Sequence, residues 1–163
     1  MKKRAEKEKG FTLLEVIVVL IIVEVIAVVA GMGIVSVVEG FIFTKMNAAT
    51  VQKGQIAMAR LFKECNNISA VTAAGATSIT FDAYKNGVLA SHTVALSGNT
   101  ITFDGDIVAD QVSGLDIGYY DSHNSAKQST WAATRRIIEI TIGLTGASGV
   151  VSEFRERVTP RNL

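Results

Sequence analysis

The chain has 163 residues, of which 48% are hydrophobic and 19% charged, with one Pro and one Cys. This composition excludes a disordered polymer, a collagen-like repeat and a disulfide-knotted miniprotein, and suits one ordinary domain. The formal charge of +1 hides a split: residues 1–10 carry five basic and two acidic groups, which leaves the rest with 11 basic and 13 acidic groups. That remainder lacks the basic excess of proteins that bind nucleic acid through its phosphates.

The lone Cys65 closes no intramolecular disulfide and frames no metal site, so the compartment has to be read elsewhere. It is read at the N-terminus, where MKKRAEKEKG precedes FTLLEVIVVLIIVEVIAVVAGMGIVSVV, a run that is apolar almost throughout. As a helix at about 1.5 Å per residue, residues 11–38 reach about 42 Å, more than the roughly 30 Å hydrocarbon core of a bilayer. Lys2, Lys3, Arg4, Lys7 and Lys9 lie on the N-terminal side only, which by the positive-inside tendency holds that flank in the cytoplasm and the rest outside. A secretory signal cleaved between Ala30 and Gly31 would have an overlong apolar region with two carboxylates in it. A core helix apolar on all sides would need a large protein around it, and an ordinary single-pass anchor leaves Glu15 and Glu24 without a reason.

A carboxylate near the middle of a membrane helix costs roughly 3 kcal/mol and normally has a partner or a task. A chain break just before Phe11 would supply the partner, because a new α-amino group would stand four residues from Glu15, on the same helix face. An ion pair between that amine and Glu15 of an adjacent subunit would set how far one helix slides past the next; in low dielectric, removing either charge costs several kcal/mol. Glu24 lies nine residues on, about 900° around the helix, and so faces away from Glu15. It is assigned either to another subunit or the assembly platform, or to a protonated state in the bilayer.

The string Gly10-Phe11-Thr12-Leu13-Leu14-Glu15-Val16, behind a short basic leader, resembles the type III signal of type IV pilins and type II secretion pseudopilins. The resemblance implies that prepilin peptidase removes residues 1–10 by cutting after Gly10, and that Phe11 becomes an N-methylated N-terminus. Glu15 then becomes the fifth mature residue, the one used in assembly. Where many major pilins carry a helix-kinking Pro, this chain has Met32 between Gly31 and Gly33, and the paired-Cys loop of many pilins is absent. Both departures point away from a major, load-carrying subunit.

Residues 41–68, FIFTKMNAATVQKGQIAMARLFKECNNI, mix polar with apolar groups, and Met58, Leu61, Phe62 and Cys65 recur at helical spacing. The spacing predicts one helix from Thr12 to Cys65, with residues 39–66 an amphipathic extension packed under the head, Gly40 and Gly54 as soft points and Asn66-Asn67 as its end. From residue 67 to 163 the pattern turns to strands. Ile79 and Phe81 alternate with polar neighbours, Asn86-Gly87 marks a tight turn, and Val88 to Leu96 alternate again, which predicts a hairpin. ITFD occurs at Ile79–Asp82 and again at Ile101–Asp104, suggesting similar strand edges. Leu115 to Tyr120 and Ile138 to Leu144 each predict a strand with one buried face, separated by the polar loop DSHNSAKQST, and Val150 to Val158 supplies a last strand. The fold class is therefore α+β: a long N-terminal helix against a C-terminal antiparallel β head, pilin-like.

ARLFKE, VADQVSGLDIGYYD, RRIIEITIGLTG and FRERVTPRNL look like the W-type minor pilins and J-type minor pseudopilins. That resemblance implies a non-catalytic, low-copy subunit that initiates or caps assembly of a type IV pilus or secretion pseudopilus. Its implied partners are prepilin peptidase, other minor and major pilin or pseudopilin subunits and the assembly platform of the bacterial inner membrane. The chain would sit there as a single-pass protein, cytoplasmic at its N-terminus with a periplasmic or extracellular head, and move later to the filament tip. The alternative is a tip adhesin or DNA-uptake subunit that binds a ligand through the head.

Chemistry-bearing residues give no catalytic or metal pattern, and no cofactor is expected. His92 lies in a strand and His123 in a loop, neither beside a Cys or a second His. Asp104, Asp106 and Asp110 fall short of a calcium loop and read as turn-forming acids. Arg135, Arg136, Arg155, Arg157 and Arg161 are diluted by Glu139, Glu153 and Glu156 and read as a solvated or intersubunit face. Trp131 and Tyr119-Tyr120 read as core or loop anchors.

Overall fold

The structure is a computed structural model that describes residues 10–85 and 87–163. One helix, α1 (Leu13–Asn66), is followed by β1 (Ile68–Ala74), β2 (Ser78–Lys85), β3 (Val88–Ser97), β4 (Thr100–Phe103), β5 (Asp106–Ala109), β6 (Val112–Tyr120), β7 (Ile137–Thr145) and β8 (Val151–Val158). The helix limits differ from the predicted ones by a single residue at each end. Two compact units divide the chain, Met1–Ile42 and Phe43–Leu163.

In the first unit every described residue is exposed. Val, Ile and Leu occupy all sides of α1, so no face is marked out for a protein core. The helix is long and apolar enough to cross a membrane, with none of its most apolar stretch buried in protein, a layout compatible with a single-pass membrane protein.

In the second unit the same helix becomes one-sided. Thr50, Gly54, Ala57, Met58, Leu61 and Cys65 are buried, recur with the helical period, and form a single stripe. Phe62, expected on that stripe, is 37% exposed while Leu61 has no exposed surface. One residue turns the helix by about 100°, which carries Phe62 past the edge of the covered face. Gly54, expected as a soft point, is a close-packing position: a Cβ there would fall 2.2 Å from the ring of Phe154.

Two antiparallel sheets cover the stripe. The first is a meander in chain order, β1-β2-β3-β4-β5, and the second is β6-β7-β8. The predicted hairpin is β2 with β3, paired continuously from Ser78↔Ala95 to Lys85↔Val88. Of its predicted turn, Asn86 lies outside the described residues, and Gly87 takes φ 81°, a left-handed value that glycine adopts without steric cost. The two ITF segments lie in β2 and β4, on either side of β3, where Ile79 and Phe103 both pair with Val94. β5 was not foreseen; it is four residues long and follows the turn at Asp104-Gly105, both of positive φ.

β7 departs from the one-faced reading. It is the central strand of its sheet, and Ile137, Ile138, Glu139 and Ile140 are all buried. Glu139, expected to face water, is covered by Tyr120 and Arg157: the Tyr120 hydroxyl donates to Oε1 at 2.9 Å and Arg157 Nε donates to Oε2 at 2.6 Å. Burial works to raise the Glu139 pKa, but the hydrogen bonds from Arg157 and Tyr120 and the charges of Arg157 and Arg155 outweigh it and hold the carboxyl below its usual range.

Leu61 and Cys65 share one core with Ile68, Phe81, Ile101, Ile117, Ile140 and Leu144, so helix and both sheets meet in a single apolar cluster. Burial, reinforced by the charge of Glu64, pushes the Cys65 thiol up to about 12, which keeps it protonated. Polar clasps close the rim. Asn47 Oδ1 accepts the Ala147 backbone N–H at 2.9 Å across 100 positions of sequence, and the Arg161 N–H donates to the Asn66 carbonyl at the end of α1. Leu61→Ala is expected to lower the unfolding free energy by about 2–5 kcal/mol, with a clearly smaller loss for Phe62→Ala; urea unfolding of the detergent-solubilised chain, followed by circular dichroism, measures both.

Candidate assembly site

The site begins where the helix begins. Gly10, Phe11 and Thr12 precede α1 in a non-helical conformation and are exposed. The Thr12 Oγ1 accepts the backbone N–H of Glu15 at 3.2 Å, and the Thr12 carbonyl accepts that of Val16 at 3.2 Å. Thr12 is therefore the N-cap, and Thr12-Leu13-Leu14-Glu15 has the spacing of a capping box. That spacing is present in the sequence, and the sequence reading passed over it.

The cap supplies Glu15 with a local role. A carboxylate in the first helical turn faces the partial positive charge of the exposed backbone N–H groups, an effect of about 0.3–1 kcal/mol at an exposed site. The rest of its environment is apolar: Glu15 borders a shallow concavity of about 240 Å³ with Phe11, Val16, Val19 and Leu20. Phe11 itself is 82% exposed. Among the described residues Glu15 has no ion-pair partner, and neither has Glu24, which sits in the middle of the apolar run. The structure thus brings Gly10, Phe11 and Glu15 together at one helix end and leaves Glu24 apart from them. The basic leader residues 1–9 lie outside the described residues.

The other chemistry-bearing residues are engaged elsewhere. His92 is buried against Phe81 and stacked on Phe103, with ring centroids 6.0 and 5.2 Å away, and its Nδ1 lies 2.6 Å from Asp104 Oδ2. Asp104 Oδ1 accepts the Thr93 N–H at 2.8 Å. Asp104, just past the end of β4, thus clasps His92 and Thr93 in the middle of β3, a contact made by the pairing of those strands and not by any spacing in the sequence. Asp110 pairs with Lys53 on α1. Arg157 holds Glu139 and covers the Tyr120 ring, Arg155 pairs with Glu153, and the Arg135 Nη1 donates to the Thr130 carbonyl. His123 offers its backbone carbonyl to Arg157, and Trp131 meets Tyr119 edge-on at 5.7 Å. Among the described residues no three His, Cys, Asp or Glu side chains gather in a way that would hold a metal.

Comparison with protein-family models, with curated proteins and with solved structures finds no match to this chain.

Partial burial acts to raise the Asp104 pKa, yet the hydrogen bonds from His92 and Thr93, with the charges of His92 and Lys85, bring it below its usual value. A carboxylate more acidic in the folded than in the unfolded chain stabilises above the unfolded pKa of about 3.9 and ceases to do so as pH falls through its folded value. Asp104→Asn, which keeps a residue tolerant of left-handed backbone, is expected to melt below the parent at pH 6. The gap should close below about pH 4, as read by thermal denaturation across that range.

Proposed function

We propose that the chain is a minor pilin or pseudopilin, a non-catalytic subunit that initiates or caps a type IV pilus or type II secretion pseudopilus. The observation that carries this reading is the Glu15 carboxylate: exposed, without an ion-pair partner among the described residues, and set in the first turn of a helix whose first half is apolar on every side. Such a group is costly in lipid unless a cation meets it. Cleavage between Gly10 and Phe11, both exposed and outside the helix, creates that cation at the membrane boundary.

The mechanism follows from charge and solvent. Prepilin peptidase removes the basic leader on the cytoplasmic side and Phe11 is N-methylated, which leaves the amine protonated. Hydrophobic anchoring by residues 11–38 keeps a pool of subunits in the inner membrane with the head outside. The assembly platform then draws the helix from lipid into a bundle of sister helices, where Glu15 meets the Phe11 amine of an adjacent subunit and sets its axial position. Glu24, on the opposite face, contacts a different neighbour or the platform. Neither step needs a catalytic group on this chain.

Mass spectrometry of the chain recovered from cells is expected to find N-methylated Phe11 as its first residue. A chain that keeps its lysine-rich decamer, or begins at Gly31, would refute the reading. Glu15→Ala and Glu15→Gln both retain the backbone N–H that donates to Thr12, so the cap survives while the charge is lost. Both are expected to be cleaved normally and to fall at least several-fold in the ratio of sheared filament to membrane pool on immunoblots; unchanged ratios would remove Glu15 from assembly.

A further inference from the structure

The head has four outer strand edges, and three of them are blunted. β1 pairs with irregular register at Ile68/Ala70 and again at Val71/Ala73. β5 has only four residues and is also irregular against β4. The outer edge of β6 is covered: the Ile117 N–H donates to the Ala76 carbonyl at 2.7 Å, and Tyr119 and Gln128 exchange two backbone hydrogen bonds at 2.9 and 3.0 Å. Bulges, shortness, covering loops and charged side chains are the usual devices that stop a sheet from recruiting a further strand.

β8 has no bulge, no covering loop and full length, and of its four charges Glu153, Arg155 and Arg157 are paired within the head. It pairs with β7 over all eight residues, Val151 to Val158, with no shift of register. Alternate residues of an antiparallel edge strand turn their N–H and C=O away from the sheet, and among the described residues none of these groups on β8 finds a partner. Beside this edge runs a concavity of about 520 Å³, between α1 and β8. Its apolar lining comes from Met58, Ala59, Phe62 and Phe154. This explains the exposure of Phe62 as a groove wall.

The charges along β8 narrow the occupant. Glu153 is paired with Arg155, and Arg157 with Glu139, so Glu156 is the strand's one charge without an ion pair among the described residues. Glu156 lies two residues from Phe154, on the same face of the strand and in the groove lining.

We infer that the outer edge of β8 and the groove beside it take an extended strand of another protein, one carrying a bulky apolar residue and, two positions along, a Lys or Arg. Main-chain hydrogen bonds to β8 supply affinity, the apolar side chain fills the space among Met58, Phe62 and Phe154, and the cation meets Glu156. A second copy of this chain fits poorly. Two positions either side of Phe154 its own β8 offers Ser152 and Glu156, not a Lys or Arg. Parallel in-register pairing sets Glu156 beside Glu156. The inference stands on the head alone, so a failure of leader processing or of the Glu15 experiment would leave it unaffected.

The test is fluorescence anisotropy with the full chain in detergent micelles. The probe is a fluorescein-labelled octapeptide of Thr and Val that carries one Phe and, two positions on, one Lys. Saturable binding is expected, weakened at least tenfold by N-methylation of alternate amides in one of the two registers, by moving Lys next to Phe, or by Ala59→Trp, which fills the groove. Glu156→Lys is expected to invert the preference between this peptide and its Lys-to-Glu counterpart, an outcome that misfolding cannot produce. Ala59 and Glu156 are exposed, and unchanged circular-dichroism melts confirm intact folding of both variants. Absence of saturable binding, or equal binding of the N-methylated and rearranged peptides, would overturn the inference. So would a homodimer, seen by sedimentation, that Ala59→Trp dissolves, since it would assign the edge to a second copy.

Discussion

One helix has to satisfy two solvents. From Leu13 to about Ile42 the sequence of α1 is apolar all round, and from there to Asn66 it is apolar along one stripe, with Leu61 and Cys65 fully buried under both sheets. The constraint is that the backbone does not break between these regimes, so the side chains alone change the environment. Every feature of the head is organised by that stripe: both sheets turn their Ile-rich faces onto it, and the groove beside β8 exists because the stripe is too narrow to cover Phe62. Hydrophobic burial is non-directional; it holds the head on the helix, and the polar clasps at Asn47 and Asn66 fix where.

At the other end of α1 the capping position of Glu15 and its proposed intersubunit role need not compete. The Thr12 cap and the first-turn position of Glu15 favour helix formation within one chain, whether or not a neighbour is present. The proposed pairing with a Phe11 amine adds an intermolecular partner to the same side chain. A residue already held at a defined place by its own helix loses less freedom when it meets a charge on another subunit, which is the general advantage of preorganisation.

How much of this was legible in the sequence depended on the range of the interactions involved. The limits of α1, the β2–β3 hairpin, β6 and β8 follow from local period, and the twin ITF segments announced two like strands, although not that both flank β3. Glu139 was misplaced because alternation places it on the face away from Ile138 and Ile140, while its cover comes from Tyr120 and Arg157, 19 and 18 positions away. The His92–Asp104 clasp was hidden for the same reason, being made by a strand pairing and not by spacing. β5 was too short to show a period. That Gly10 and Phe11 precede the helix and Glu15 lies in its first turn follows from the predicted helix start, and the capping box was legible and overlooked. The partner proposed for Glu15 lies on another molecule, and one chain's sequence names it only by resemblance.

The clasps on α1 also impose a schedule. The segment that holds the Asn47 amide arrives 100 positions later, and the strand that fills the space over Gly54 follows it. The helix is among the first elements to emerge during synthesis, yet its covered stripe is not closed until β8 has been translated. Through that interval the second half of α1 presents Met58, Leu61 and Cys65 to whatever lies nearby, which makes a holding partner most useful to this chain before it has a head.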